Sequence, residues 1–358
     1  MTPLVDPVDH APLQEVPGGL QGASGRFYPS VAGGWDLRPP HMAPDSITRD
    51  AVTPGPPLDA TAAESAAQAA IYDEMLGELT DFDHPHNLTL VHQRDLLDRL
   101  DLRAGVTVLE LGGHRSGVLP YLEAHAGVVG WGLDISPRWV HAQNVAATQR
   151  GSPTRWLLGD AHALPFADRS FAAVVAFDVF EHLADLPRAV GEAFRVLRPG
   201  GRLACHLPVQ DIHGSLDGLQ QRHDPADYAA RQASVGHYHE RMPTRQKMRV
   251  LLEHHGFHVI DMMSFNVWIQ PLHDHKLLPA LGRLRHRFTR RPPAGEAGGV
   301  TVHGASGWQR AYARSVIPVV QALAAPDRLG ALLGIGGSCS FLAERPGGAA
   351  DPLRSPGS

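Results

Sequence analysis

The sequence predicts an α/β fold on a parallel, doubly wound sheet, and three observations predict it. Apolar runs of strand length alternate with helix-length patterns between residues 106 and 207, as in successive βαβ units. A glycine-rich turn, Gly112-Gly113, follows the first run. An acidic residue, Asp134, ends the second run about 20 residues later, which is the nucleoside-binding arrangement of doubly wound sheets. With 358 residues, 43% hydrophobic and 19% charged, the chain is long enough to bury a core without a disulfide or metal staple.

Taken in order, residues 1–60 are punctuated by prolines, Pro3, Pro7, Pro12 and Pro17 among them, and sustain no apolar period. They predict a flexible, extended Pro/Gly-rich arm, with Phe27, Tyr28 and Trp35 leaving room for a docked segment. Helical patterning occupies residues 61–79 and, after His84-Pro85-His86, residues 87–100. Strands are expected at 106–111, 128–133, 155–158, 172–177 and 202–207. Helices at 118–125, 137–148 and 186–197 connect them. Arg198-Pro199-Gly200-Gly201 reads as a turn that stops a helix with proline and reverses with glycine. Further helices are expected at 216–233 and 244–255, and strands at 257–265 and 338–343. The stretch 266–336 is too long for a hairpin loop and predicts a helical insertion, including residues 308–323, over the sheet edge or a site mouth. One domain then spans 61–345, and 346–358 form a flexible tail.

The turn itself has several readings. A glycine-rich βα turn followed by Asp134 serves a nicotinamide cofactor, a flavin or S-adenosylmethionine, or is only a tight turn. Glu110, just before the glycines, is a poor neighbour for a pyrophosphate and a good one for an amino group. The Gly-x-Gly-x-x-Gly pattern of nicotinamide enzymes is absent.

Downstream the text becomes specific. Gly159-Asp160-Ala161-His162-Ala163-Leu164-Pro165-Phe166, Ser170-Phe171, Phe177-Asp178-Val179-Phe180-Glu181-His182-Leu183 and Arg195-Val196-Leu197-Arg198-Pro199-Gly200-Gly201 stand in this order. Together with the glycine turn they resemble the class I S-adenosylmethionine-dependent methyltransferases, in particular the small-molecule branch that includes ubiquinone and menaquinone biosynthesis methyltransferases. The resemblance implies a Rossmann-like, doubly wound sheet of seven strands, mostly parallel with an antiparallel last strand. It implies S-adenosyl-L-methionine as cofactor and in-line transfer of its methyl group to a small-molecule acceptor of the secondary-metabolite kind. On this resemblance Glu110 faces the amino end of the cofactor, and the turn at Gly112, Gly113 and His114 passes its methionine part. Asp134 holds the ribose hydroxyls, Ile135 packs on the adenine, Asp160 meets the adenine amino group and Ala161 offers a backbone donor. Phe177 and Asp178 line the cleft.

His114 and Ser116 stand where the family carries its second and third glycines, and side chains there crowd the methionine tail unless the turn is rerouted. That departure keeps two alternatives open: an S-adenosylmethionine-binding enzyme of other chemistry, and a degenerate, non-catalytic partner subunit. A general base is needed only if the acceptor must lose a proton. The candidates are His182, Glu181 beside it, and His206, with His213 close by in sequence. His237-Tyr238-His239 and His273-Asp274-His275 have spacings that suit a metal, but with 22 histidines such pairs arise by chance, and no metal is expected.

A net charge of −5 argues against nucleic acid, and the Arg283–Arg291 cluster reads as a solvated face before it reads as a site for an acidic group or carrier protein. A carrier protein and a second copy of the chain are left open as partners. Two cysteines fit a reducing compartment. No apolar run spans a bilayer and no signal pattern opens the sequence, so a cytoplasmic protein is expected.

Overall fold

The computed structural model describes residues 4–31, 34–39, 80–114, 116–233, 237, 242–278, 280–281 and 307–347. The expected helix over 61–79, the arginine cluster at 283–291 and Tyr238 and His239 lie outside them.

Residues 4–31 and 34–39 form the docked segment for which Phe27, Tyr28 and Trp35 left room rather than an extended arm, while 40–60 and the expected tail from 348 on lie outside the described residues. Strands β1 (Leu13–Val16), β2 (Gly19–Gly22), β3 (Phe27–Val31) and β4 (Gly34–Trp35) form an antiparallel meander. Pro17 is absorbed in the β1–β2 turn, where Gly18 takes a φ of +86°. The fully buried Asp6 carboxylate ties the meander together, accepting from Val8 N (2.9 Å), Arg26 Nε (2.8 Å) and Tyr28 Oη (2.9 Å). Proline content misled here because one buried charged hub and a few apolar side chains, Tyr28, Leu20 and Leu37, supply enough burial to order the segment.

The main sheet follows. After α1 (Leu88–Asp98) come β5 (Thr107–Leu111), α2 (Val118–Ala126), β6 (Val129–Asp134), α3 (Pro137–Arg150), β7 (Arg155–Leu158) and β8 (Phe171–Phe177). Next are α4 (Leu186–Val196), β9 (Leu197–Pro208), α5 (Leu216–His223), α6 (Pro225–Ala233), α7 (Arg245–His254) and β10 (His258–Phe265). A short helical stretch, α8 (Ile269–Leu272), then α9 (Gly307–Ser315), α10 (Ile317–Leu323) and α11 (Ala325–Leu332) precede β11 (Ser338–Glu344). The strand order is β10-β11-β9-β8-β5-β6-β7. β11 runs antiparallel to both neighbours and the remaining pairs are parallel, giving the seven-stranded Rossmann-like sheet that the sequence implies.

Local chemistry sets these boundaries. Ser136 caps α3 by accepting from Trp139 N (3.1 Å), with Pro137 at the first turn and Gly151 in the left-handed region beyond the last. β8 reads FAAVVAF and is buried over its first six residues, as a central strand covered on both faces must be. The expected turn at 198–201 instead lies within the ladder of β9, because Gly200 N donates to Arg345 O (2.7 Å) and Arg345 N donates back to Gly201 O (2.8 Å). The helical pattern at 216–233 divides at Asp224-Pro225, and that at 308–323 divides at Val316.

Two apolar layers flank the sheet, one around Leu109, Val174 and Leu203 and the other around Val108, Val175 and Trp156. A third cluster joins Leu88 of α1 to Tyr312, Ile317 and Val320 of the insertion. The meander docks on the exposed edge of the sheet: Leu37 N donates to Leu158 O (2.7 Å) of β7, and Val5 N donates to Pro165 O (3.0 Å). Covering an edge strand in this way removes its unpaired backbone groups from solvent.

Candidate active site

The carboxyl ends of β5, β6, β7 and β8 meet where the strand order reverses, and ligands of open α/β sheets gather there. Glu110, Asp134, Asp160 and Asp178 all stand at these ends.

The β5–α2 turn is packed tightly against its neighbours. Gly112 takes a φ of +75° and packs so close to Val179 that a Cβ would sit 2.5 Å from Val179 Cγ2. The His114 ring turns away onto Trp139, edge to face at 4.8 Å between centroids. The Ser116 hydroxyl donates to Glu110 Oε1. Gln143 of α3 braces the loop, its Nε2 donating to both Gly113 O and Ser116 O at 2.9 Å. The two side chains that replace glycine are thus engaged with the protein, one with α3 and one with Glu110.

Glu110 is buried, and its Oε2 has no hydrogen-bond partner. Burial pushes its carboxyl up to about 8, against the opposing hydrogen bonds from Ser116 and the backbone of Leu119. Asp134 accepts from Gly113 N and from Ser136 N (2.7 Å), so one carboxylate joins the glycine turn to the start of α3. Ile135 is half-buried beside it.

Asp160 Oδ1 accepts from His162 N (2.8 Å) and His162 Nδ1 (2.6 Å). His162 Nε2 in turn accepts from Asp185 N (3.2 Å) at the start of α4, so the ring links Asp160 to that helix. Asp160 Oδ2 is buried without a partner, and Ala161 is buried next to it.

At the end of β8, Asp178 takes a φ of +55°, a strained setting for a residue with a side chain. Its Oδ1 lies 2.8 Å from His206 Nδ1 on β9, and Gln93 Nε2 of α1 donates to its Oδ2 (3.2 Å). Desolvation works to raise the Asp178 carboxyl, but the His206 imidazole, and more weakly His237 and His182, hold it below the usual carboxylate range. His206 is 3% exposed and stacks on Phe265 at 4.4 Å, and its Nε2 has no partner. Phe177 stands edge-on to the same ring at 6.4 Å. Asp178, His206 and Asn266 share the wall of a cavity of about 400 Å³, which Tyr228 of α6 and Thr89 of α1 also line. Its size suits a small organic molecule.

The other candidates separate. Glu181 and His182 lie on a 3-10 turn, Phe180–His182, and neither lines this cavity. Glu181 is buried with both oxygens unpartnered, and burial together with Asp178 raises its carboxyl well above the usual range. His213 is exposed. His273 and Asp274 are structural: His273 bonds Asp274 (2.6 Å) and Tyr312 Oη (2.8 Å), and Asp274 accepts from Leu88 N and Thr89 N at the start of α1. Gln93, Gln143 and Asn266 escaped sequence reasoning because each acts across elements far apart in the chain, and His162 because it also reaches α4. Only His162, two residues from Asp160, carried a local signal.

Among the described residues no helix is long and apolar enough to cross a membrane.

The family model described as a methyltransferase domain matches residues 109–205. Methyltransferase GfsG of Streptomyces halstedii is 34% identical over 126 residues, covering 35% of this chain and 45% of the relative. The ubiquinone/menaquinone biosynthesis C-methyltransferase UbiE of Dinoroseobacter shibae is 34% identical over 132 residues, 36% of this chain and 52% of its own. The chain spans roughly a third to a half of the length of such curated relatives. A phosphoethanolamine N-methyltransferase 2 from Haemonchus contortus, solved with S-adenosyl-L-methionine, aligns with 72% of this chain and 52% of its own at 16% identity and a TM-score of 0.49. Over residues 109–205, then, this chain is similar to the methyltransferase domains of known proteins.

Proposed function

We propose that this protein transfers a methyl group from S-adenosyl-L-methionine to a protonated nucleophile, such as a hydroxyl, on a small organic acceptor. The observation that carries the reading is His206. Its Nδ1 is held by Asp178, its Nε2 has no partner, and it lines the cavity beside the cofactor cleft.

The residues present fit the cofactor. Glu110 Oε2 and Asp160 Oδ2 are buried acceptors with no donor from the protein. A buried acceptor left unmatched costs about 1–3 kcal/mol, so a ligand that brings an ammonium group and an exocyclic amine relieves both. Glu110 would meet the amino group, Asp160 the adenine amine and Asp134 the ribose hydroxyls, with Ile135 and Ala161 against the base and Gly112, Gly113 and His114 along the methionine part. When bound, the cofactor supplies a methyl group already activated on a sulfonium.

The chain's own residues then orient and deprotonate. The cavity holds the acceptor at the end of β8, and orientation of this kind can contribute about 7–11 kcal/mol. His206 Nε2 accepts the acceptor's proton, while Asp178 fixes the tautomer and favours the imidazolium that forms. Positioned bases of this sort contribute about 10²–10⁴-fold. Glu181 and His182 are not assigned to proton transfer in this reading. No partner protein or second copy is required by it.

The test is incubation with methyl-labelled S-adenosylmethionine and a panel of phenols, alcohols and amines, reading label transfer and S-adenosylhomocysteine. Product with hydroxyl acceptors, lost in His206→Ala, is expected. Binding of S-adenosylmethionine with no product from any acceptor class would move the protein to a non-methyl-transferring chemistry, and no binding at all to the partner-subunit alternative.

A further inference from the structure

We propose that Glu181, His182 and His237 form a site for a single transition-metal dication, Zn²⁺ or Fe²⁺ in type, beside the acceptor cavity. One ligand atom from each of the three residues falls within 4.8 Å of the others. His182 Nε2 lies 3.8 Å and His237 Nε2 3.6 Å from the same carboxylate oxygen, Glu181 Oε1. Ligands about 2.0–2.1 Å from a tetrahedral zinc stand roughly 3.3–3.5 Å apart, so each imidazole needs to close on Glu181 Oε1 by only a few tenths of an ångström. Both imidazole contacts are too long for hydrogen bonds, and neither oxygen of the buried Glu181 has any hydrogen-bond partner.

The orientation of His237 is the independent observation. Its Nδ1 lies 3.0 Å from Gln232 Oε1, a carbonyl oxygen that can only accept, so Nδ1 carries the proton and Nε2 presents a lone pair toward Glu181 Oε1. Among the described residues nothing bridges the gap between the His237 Nε2 lone pair and the Glu181 carboxyl. A cation satisfies both at once. A histidine ligand whose far nitrogen donates to a carbonyl is also the usual outer support of a metal site, fixing tautomer and ring angle. Two imidazoles and one carboxylate select a borderline divalent ion over magnesium or calcium, which prefer all-oxygen sets.

His237 also lines the cavity that holds Asp178 and His206. An ion here would border the acceptor and bind an oxygen of it, favouring acceptors that carry a second oxygen near the methylated one. This use rests on the methyl-transfer reading; the binding of the ion does not.

The experiment is calorimetric titration of tag-free protein, stripped with chelator, with Zn²⁺, and with Co²⁺ read by its visible absorption. One equivalent is expected. His237→Ala and Glu181→Gln should each abolish it at unchanged circular dichroism, and Gln232→Ala should weaken it by about 10–100-fold. Absence of stoichiometric binding, or binding that survives in both folded His237→Ala and Glu181→Gln proteins, overturns the site. Zn²⁺ bound stoichiometrically and lost in His237→Ala, in a protein that methylates nothing, upholds the site and counts against the methyl-transfer reading alone.

Discussion

Asp178 and His206 are joined twice across the ends of adjacent parallel strands. The side chains meet at 2.8 Å, and the backbone amide of Asp178 donates to the carbonyl of His206, also at 2.8 Å. The imidazole is therefore fixed both along the strand and in its tautomer, with the ring clamped against Phe265. A ring so held has little rotamer freedom left to lose when an acceptor arrives.

His206→Ala should lower kcat by about 10²–10⁴-fold while S-adenosylmethionine affinity stays within twofold of the parent, roughly the scatter of a titration. Label transfer and calorimetry on the same preparation check the pair of outcomes. A parallel loss of cofactor affinity would place His206 in the cofactor wall rather than at the acceptor.

Glu110 gives a pH prediction. Its carboxyl is pushed from 4.5 up to about 8 by burial, so the folded protein holds this proton more tightly than the unfolded chain. Its contribution to stability is thus complete below about pH 4.5 and is lost as pH rises toward 8. An ammonium group arriving at Oε2 favours the carboxylate, so cofactor binding near pH 7 should release up to one proton. Titrations in buffers of different ionisation enthalpy would show a buffer-dependent heat that vanishes in Glu110→Gln. Equal heats in every buffer would contradict the placement of the amino group.

Asp134→Ala should weaken cofactor binding by about 1–3 kcal/mol through lost ribose hydrogen bonds. The same substitution frees Gly113 N and Ser136 N, so the melting temperature of the ligand-free protein should fall as well. Cofactor affinity equal to the parent's would remove Asp134 from the ribose.

The parts of this site that were legible in the sequence are those in which one residue type answers one local demand. Asp134 at a strand end, the glycine before a left-handed turn and the unbroken apolar run of β8 each announce themselves within a few residues. The packing of the turn was not legible, because it depends on Gln143 and Trp139, which approach from α3 about 25–30 residues later. The choice among His182, Glu181 and His206 was equally out of reach. All three stand near or beyond the ends of apolar strands, and only the packing of α1 and α6 shows which of them lines the cavity. The meander was missed for a different reason: its order comes from one charge, Asp6, whose partners Arg26 and Tyr28 lie 20 and 22 residues away.

Leu37→Ala tests that docking. The side chain is fully buried against the edge of the sheet, and truncation of such a leucine costs about 2–5 kcal/mol. Chemical denaturation should show a loss of that size. A change below about 0.5 kcal/mol, the scale of an ordinary surface substitution, would mean that the segment is not held there in solution.

The bridge from Leu4 to Phe166 closes a very long stretch of chain. Contacts of such sequence separation form late in folding, since the loop-closure entropy is met before they return any stabilisation. The parallel strands β5, β6 and β8 can pair before the meander arrives, whereas the loop through Asp160 and Pro165 gains its last backbone partner only when Val5 docks. The loop that carries Asp160 is therefore the last part of the candidate site to mature, and amide exchange there reports the arrival of the N-terminal segment rather than the stability of the sheet.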